Sequence, residues 1–186
     1  MDGPFPMYAA RATPALLAGA LATAVAAQLS LSVPGSPVPQ SLQTLAVVVV
    51  GGVLGPGRGA LALLLYAAMG AAGLPVFADG ASGVARLWGP TGGYLAGFVA
   101  GAALAGWWVR RRRGTAFGYV AAGMASAHAV ILAMGWLRLA VPVGAAAAWS
   151  QGVAPFLWGG AVKSLAAAAI LVVWARRGRG GDTDVA

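Results

Sequence analysis

The chain has 186 residues, of which 60% are hydrophobic and 9% carry a charge, and its formal net charge is +8. A soluble domain has about 25% charged residues, so this composition excludes an ordinary water-soluble protein, and the hydrophobicity excludes disorder. A spanning helix with its connector takes roughly 30 residues, which predicts an all-α integral membrane protein with about six transmembrane helices in one bundle. Residues 1–186 are expected to form this single membrane domain.

The apolar runs predict helices near residues 13–31, 41–55, 60–73, 90–109, 116–139 and 153–174. Three irregular segments lie between them: the proline-rich 32–40, then 74–89, and 142–152 with an alanine-rich stretch that can form a short helix. Irregular backbone at membrane depth is tolerated where it caps or lines a cavity. We therefore expect these segments to meet on the outer side, around a pocket for a small anionic or polar solute.

The basic residues follow the pattern that sets the orientation of membrane proteins. With the N-terminus in the cytoplasm, nine of the twelve Lys and Arg fall on cytoplasmic segments, among them the run 110–113. Both termini are therefore predicted to be cytoplasmic. The same placement, between and after apolar runs, argues against a surface that binds nucleic acid.

The side chains that catalysis needs are scarce in this sequence. There is no Cys, one His and four acids, and among the acids only Asp79 lies away from the termini. Lys163 and Ser164 resemble the end of a phosphate-binding loop, but Val162 stands where that motif needs glycine. We therefore expect no enzyme activity, no metal site and no cofactor.

Two polar residues fall inside predicted helices. Lys163 lies about ten residues into the last helix, roughly 15 Å along its axis. A charge at that depth usually faces a cavity, where it can meet an anion; the alternative is that its ammonium snorkels to the interface. His128, near the middle of the fifth helix, is expected to be neutral and hydrogen-bonded between helices.

Small residues spaced by four form two stripes, Ala18, Ala22 and Ala26 on the first helix and Gly93, Gly97 and Gly101 on the fourth. Small residues allow a second helix backbone to approach closely. The glycine stripe is expected to pack against a helix of the same chain. The alanine stripe is compatible with internal packing or with a partner protein.

Five sequence blocks, in order along nearly the whole chain, carry a family resemblance. They are 37–45 (PVPQSLQTL), 73–78 (GLPVFA), 89–98 (GPTGGYLAGF), 128–131 (HAVI) and 155–157 (PFL). The combination resembles the BioY family, the biotin-specific S-components of energy-coupling-factor transporters.

The resemblance implies a six-helix subunit of a bacterial or archaeal cytoplasmic membrane, surrounded by lipid, that captures biotin from outside. It also implies two kinds of partner, a transmembrane coupling protein and a pair of cytoplasmic ATPases, with Ala18, Ala22 and Ala26 as the docking stripe. We expect the substrate site to be formed by Gln43, Asp79, Arg86, Gly89, Pro90, Thr91, Gly92, Tyr94, Gly160 and Lys163, and the resemblance itself implies the positions of Gly160 and Lys163.

The sequence departs from the family pattern at the start of the last helix. The family usually reads PFLPGDxxK there, and this chain has Trp158 for the second proline and Gly160 for the acid, while Lys163 is kept. Losing that acid removes an acceptor for the ureido N–H groups of biotin. Several interpretations stay open: weaker binding, a different small anionic vitamin, replacement of the acceptor by Asp79, or a membrane scaffold or assembly subunit with a vestigial pocket.

Overall fold

A computed structural model describes residues 12–111 and 116–180 of the chain. Part of the predicted basic asymmetry, namely Arg11, Arg112 and Arg113, lies outside the described residues, as do the terminal acids.

The described residues form eight α-helices, one 3-10 turn and one short antiparallel ladder. The ladder pairs β1 (Ser30–Leu31) with β2 (Gln40–Ser41), and the 3-10 turn is Ala78–Gly80. The helices, in chain order, are α1 (Ala12–Gln28), α2 (Gln43–Leu54), α3 (Pro56–Ala71), α4 (Ala85–Trp88), α5 (Gly92–Arg111), α6 (Phe117–Val143), α7 (Ala145–Gly152) and α8 (Ala154–Gly180).

Several helix ends differ from the predicted ones. Helix α3 begins at Pro56 rather than near residue 60, because Gly55 adopts φ 84° and proline suits the first helical position. Helix α6 continues past residue 139 and through Pro142. It is Gly144, with φ 85°, that ends α6, since its N–H donates to the Ala140 carbonyl at 2.9 Å.

Three helices are long and apolar enough to cross a membrane, namely 92–111, 117–143 and 154–177. Among the shorter helices, residues 13–28 of α1 and 43–54 of α2 are also apolar. The chain is thus an all-helical membrane protein.

Helix α5 lies at the centre of the bundle and packs against α6, α2 and α3. The predicted glycine stripe makes the contact with α6. A Cβ atom on Gly97 would lie 3.0 Å from the Cα atom of Ile131, and one on Gly93 or Gly101 would also collide with α6. The prediction of internal packing is confirmed, because the absence of side chains is what lets the two helices approach.

Candidate substrate-binding site

A cavity of about 180 Å³ opens at the end of the bundle where α2, α5 and α8 begin. Its wall is formed by these helices, by α6 and by the segments 37–41 and 77–91. Seven of the ten predicted site residues line it: Gln43, Asp79, Arg86, Thr91, Tyr94, Gly160 and Lys163.

The other three predicted residues, Gly89, Pro90 and Gly92, are not on the cavity wall. They form the turn from α4 into α5, where the Gly92 N–H donates to the Gly89 carbonyl at 3.1 Å. A side chain on Gly92 would collide with the Leu87 carbonyl. This turn therefore sets the position of Thr91 and Tyr94 through its backbone.

Hydrogen bonds from two residues at the end of α1 and in β1 hold the loop that carries Asp79 at the cavity. Asp79 adopts φ 59°, a conformation that Asp tolerates better than most residues. The Ser30 hydroxyl donates to its Oδ1 at 2.5 Å. Gln28, at the end of α1, donates to the Phe77 carbonyl and accepts from the Gly80 N–H, both at 3.1 Å. These bonds fix the loop on both sides of the carboxylate.

Lys163 lines the cavity and is half-buried. Its Nζ donates to the Ser41 carbonyl of β2 at 2.5 Å. This bond uses one of the three N–H donors of the ammonium group. Because a carbonyl is neutral, the bond does not compensate the positive charge of Lys163. Gly160, one turn earlier on α8, also lines the cavity, and a Cβ atom there would meet nothing within 4 Å.

Gln43 and Tyr94 line the cavity, and their polar groups already form hydrogen bonds within the protein. Gln43 Nε2 donates to the Tyr66 hydroxyl, which in turn donates to the Val76 carbonyl at 3.1 Å. The Tyr94 hydroxyl donates to the Gly152 carbonyl at 2.6 Å. The hydroxyl proton of Tyr94 is therefore unavailable to a ligand, and this tyrosine offers the cavity mainly its ring.

The charge at the cavity wall is weighted towards positive. Arg86, on the short helix α4, and Lys163 are its cations, and Asp79 is its acid, among the residues described. Helix α4 is held in place by Arg138, whose guanidinium donates to the Trp88 carbonyl. An anionic group in the cavity therefore meets a favourable field.

The third irregular segment, 142–152, does not reach the cavity wall. Most of it forms α7. The Gly152 carbonyl at the end of α7 accepts the hydrogen bond from the Tyr94 hydroxyl and so helps to position this cavity residue.

Sequence reasoning missed most of the apolar wall and the cavity role of His128. Phe77, Phe98, Ile131 and Phe156 line the cavity. Each lies in one of the five blocks that carry the family resemblance, and that was the signal that could have indicated them. His128 is 5% exposed, and its Nδ1 lies 3.0 Å from Oγ of Ser164 on α8. The predicted hydrogen bond between helices is thus present, but the same ring also lines the cavity.

A comparison with models of protein families matches the BioY family over residues 6–179, nearly the full length. The chain belongs to the BioY family.

Curated relatives agree with this assignment. The chain is 39% identical over 158 residues to a probable biotin transporter BioY of Pyrococcus horikoshii, covering 85% of this chain and 90% of that one. It is 40% identical over 141 residues to the biotin transporter BioY of Thermotoga maritima, covering 75% and 82%. These relatives are named as transporters, in agreement with the expectation that the chain is not an enzyme.

A solved structure shows the same fold. The S-component for biotin from an ECF-type ABC transporter matches 92% of this chain and 95% of its own, with a TM-score of 0.77 and 22% identity. In the described part of the protein no group of three His, Cys, Asp or Glu side chains is placed to hold a metal ion.

Proposed function

We propose that this chain is the substrate-binding subunit of an energy-coupling-factor importer and that its ligand is biotin. The observation that carries the proposal is a cavity that brings Lys163, Arg86 and Asp79 together with apolar walls. Curated relatives that align with most of the chain are named biotin transporters, which supports the same ligand.

The chemistry of biotin matches this wall. Its carboxylate is complementary to the guanidinium of Arg86, and its ureido carbonyl oxygen can accept a hydrogen bond from the ammonium of Lys163. Its thiophane ring and aliphatic chain suit Phe77, Phe98 and Phe156. Asp79 supplies a carboxylate at the cavity, and this supports biotin as the ligand although Gly160 cannot provide one.

We propose six membrane spans, α1, α2, α3, α5, α6 and α8, with both termini in the cytoplasm of a bacterium or archaeon. The placement of the cavity supports the alternation of these spans, because α2, α5 and α8 all begin at it. With six alternating spans these three helices run inward, so the cavity opens to the outside. The basic ends of α5 (Arg110) and α8 (Arg176) then lie on the cytoplasmic side, as the distribution of positive charge requires.

We propose that α1 docks on the transmembrane coupling protein, which in turn joins the pair of cytoplasmic ATPases. Helix α1 turns Ala20, Ala24 and Ala27 into the bundle. On its other side Ala18 and Ala22 are exposed and Ala26 is half-buried. This arrangement supports an external contact over internal packing, since the small side chains leave room for a second helix backbone.

Uptake of radiolabelled biotin tests the transport proposal. The chain is produced in biotin-auxotrophic cells that lack their own transporter, with and without a coupling protein and ATPases. Accumulation that depends on this chain supports the proposal. A scaffold with a vestigial pocket gives no accumulation in either strain, and an importer of another vitamin gives uptake of that compound in place of biotin.

A further inference from the structure

His128 combines burial with an unused polar atom at the cavity. Its side chain is 5% exposed and lines the cavity. Its Nε2 is the one buried side-chain nitrogen or oxygen without a hydrogen-bond partner in the described part of the chain. A buried polar atom without a partner is costly, so such an atom at a cavity wall indicates a missing ligand group.

The partners of the other ring nitrogen define which tautomer is present. Nδ1 lies 3.0 Å from the Met124 carbonyl, which can only accept, and 3.0 Å from the Ser164 hydroxyl. That hydroxyl donates its proton to the Gly160 carbonyl at 2.8 Å, so it too accepts from the ring. Nδ1 therefore carries the hydrogen, and Nε2 of the neutral ring holds a lone pair.

The neutral form is favoured by the surroundings of the ring. A protonated His128 would add a second buried positive charge to a cavity that already contains Lys163. Nε2 is consequently a fixed acceptor, and the group that satisfies it must be an N–H or O–H donor.

We propose that Nε2 of His128 accepts a hydrogen bond from a ureido N–H of bound biotin and thereby selects ligands that carry this donor. This inference rests on the proposed function. Among the donors and acceptors of biotin the ureido nitrogens are its only N–H groups. The carboxylate lacks a donor at neutral pH and would repel the lone pair.

Binding of biotin and of two analogues, each methylated on one ureido nitrogen, tests this assignment in purified protein. The parent is compared with His128→Leu, which removes the acceptor, and His128→Gln, whose amide oxygen can take the place of Nε2. Met124→Leu is the matched control, because it alters a buried residue one turn away on α6 that does not line the cavity.

Loss of one hydrogen bond from a buried partner should weaken biotin binding by about tenfold or more in His128→Leu. The parent should reject one of the two methylated analogues, and His128→Leu should lose that discrimination while His128→Gln and Met124→Leu keep it. Unchanged discrimination in His128→Leu, or an equal effect in Met124→Leu, overturns the inference. A parent that fails to bind biotin at all instead contradicts the proposed function.

A second measurement does not depend on variants that fold. The chain contains a single histidine, so selective ¹⁵N-histidine labelling of protein with a tag free of histidine reports on this ring alone. The unbound protein should show a protonated Nδ1 and a free Nε2 lone pair, and biotin should move the Nε2 resonance upfield. A protonated Nε2 in the unbound protein, or a resonance that biotin does not move, overturns the inference.

Discussion

Ser30 and Ser41 are direct partners in the two-stranded ladder, and each of them holds a charged side chain of the cavity. The Ser30 hydroxyl donates to Asp79 at 2.5 Å, and the Ser41 carbonyl accepts from Lys163 at 2.5 Å. The ladder thus connects the acid on the loop after α3 with the cation on α8. Because antiparallel pairing fixes the register of the two serines, it also fixes the separation of the two charges.

The change Gly160→Asp should tighten biotin binding, since it restores an acceptor at a position with open space for the side chain. A hydrogen bond to a charged group contributes about 1.5–3 kcal/mol, and the new carboxylate would also compensate the charge of Lys163. Gly160→Ala is the matched control, because it adds the Cβ atom without the carboxylate. Isothermal titration on the three proteins checks this, and equal affinities would show that Asp79 or another group already serves as the acceptor.

Replacing Ala22 by Trp should leave biotin binding in detergent intact and abolish uptake in cells that contain the coupling protein. Ala22 is exposed on the face of α1 that carries the small residues, so a bulky side chain there blocks the approach of a second helix and does not disturb the bundle. Ala125→Trp, an equal change on an exposed position of α6, controls for insertion and expression. Parallel loss of binding and uptake would identify the stripe as part of the fold.

A leucine in place of Gly97 should destabilise the protein, because its Cβ atom would already lie 3.0 Å from Cα and 3.1 Å from the carbonyl oxygen of Ile131. Overpacking of this kind costs about 1–3 kcal/mol, and a contact with backbone relaxes less readily than one with side chains. Ala96→Leu, on the neighbouring exposed position of α5, is the control. Thermal unfolding in detergent should show a lower midpoint for Gly97→Leu alone.

Reporter fusions after Arg179 and after residue 113 should both give cytoplasmic signals, and an insertion at Asp79 should give an external one. The reason is the excess of basic residues on the proposed cytoplasmic segments. A cytoplasmic signal at Asp79 would contradict both the six-span arrangement and the outward direction of the cavity.

The fold class and much of the cavity could be predicted from the sequence, for different reasons. Apolar runs and their breaks identify helices from composition alone, and the order of the five blocks indicates the family. Gly97 and its stripe could be assigned because spacing by four places residues on one helix face.

What the sequence could not predict depends on contacts between distant segments. Gln28 forms a hydrogen bond with the loop that carries Asp79, about fifty positions away along the chain, and His128 is hydrogen-bonded to Ser164 on another helix. Their partners are chosen by the packing of the bundle, which leaves no local pattern. Helix α6 was predicted to end near residue 139, whereas it continues through Pro142 and ends at Gly144.

The dissociation constant of biotin from the purified protein, measured beside that of Lys163→Ala, tests the central claim most directly. We expect the parent to bind one biotin per chain and Lys163→Ala to bind it more weakly by about 2–5 kcal/mol, since a charged partner is lost from a partly buried site. Val162→Ala, the exposed neighbour on α8, should bind like the parent, and all three should fold. Equal affinities in the parent and Lys163→Ala, or a parent that does not bind biotin, would contradict the account.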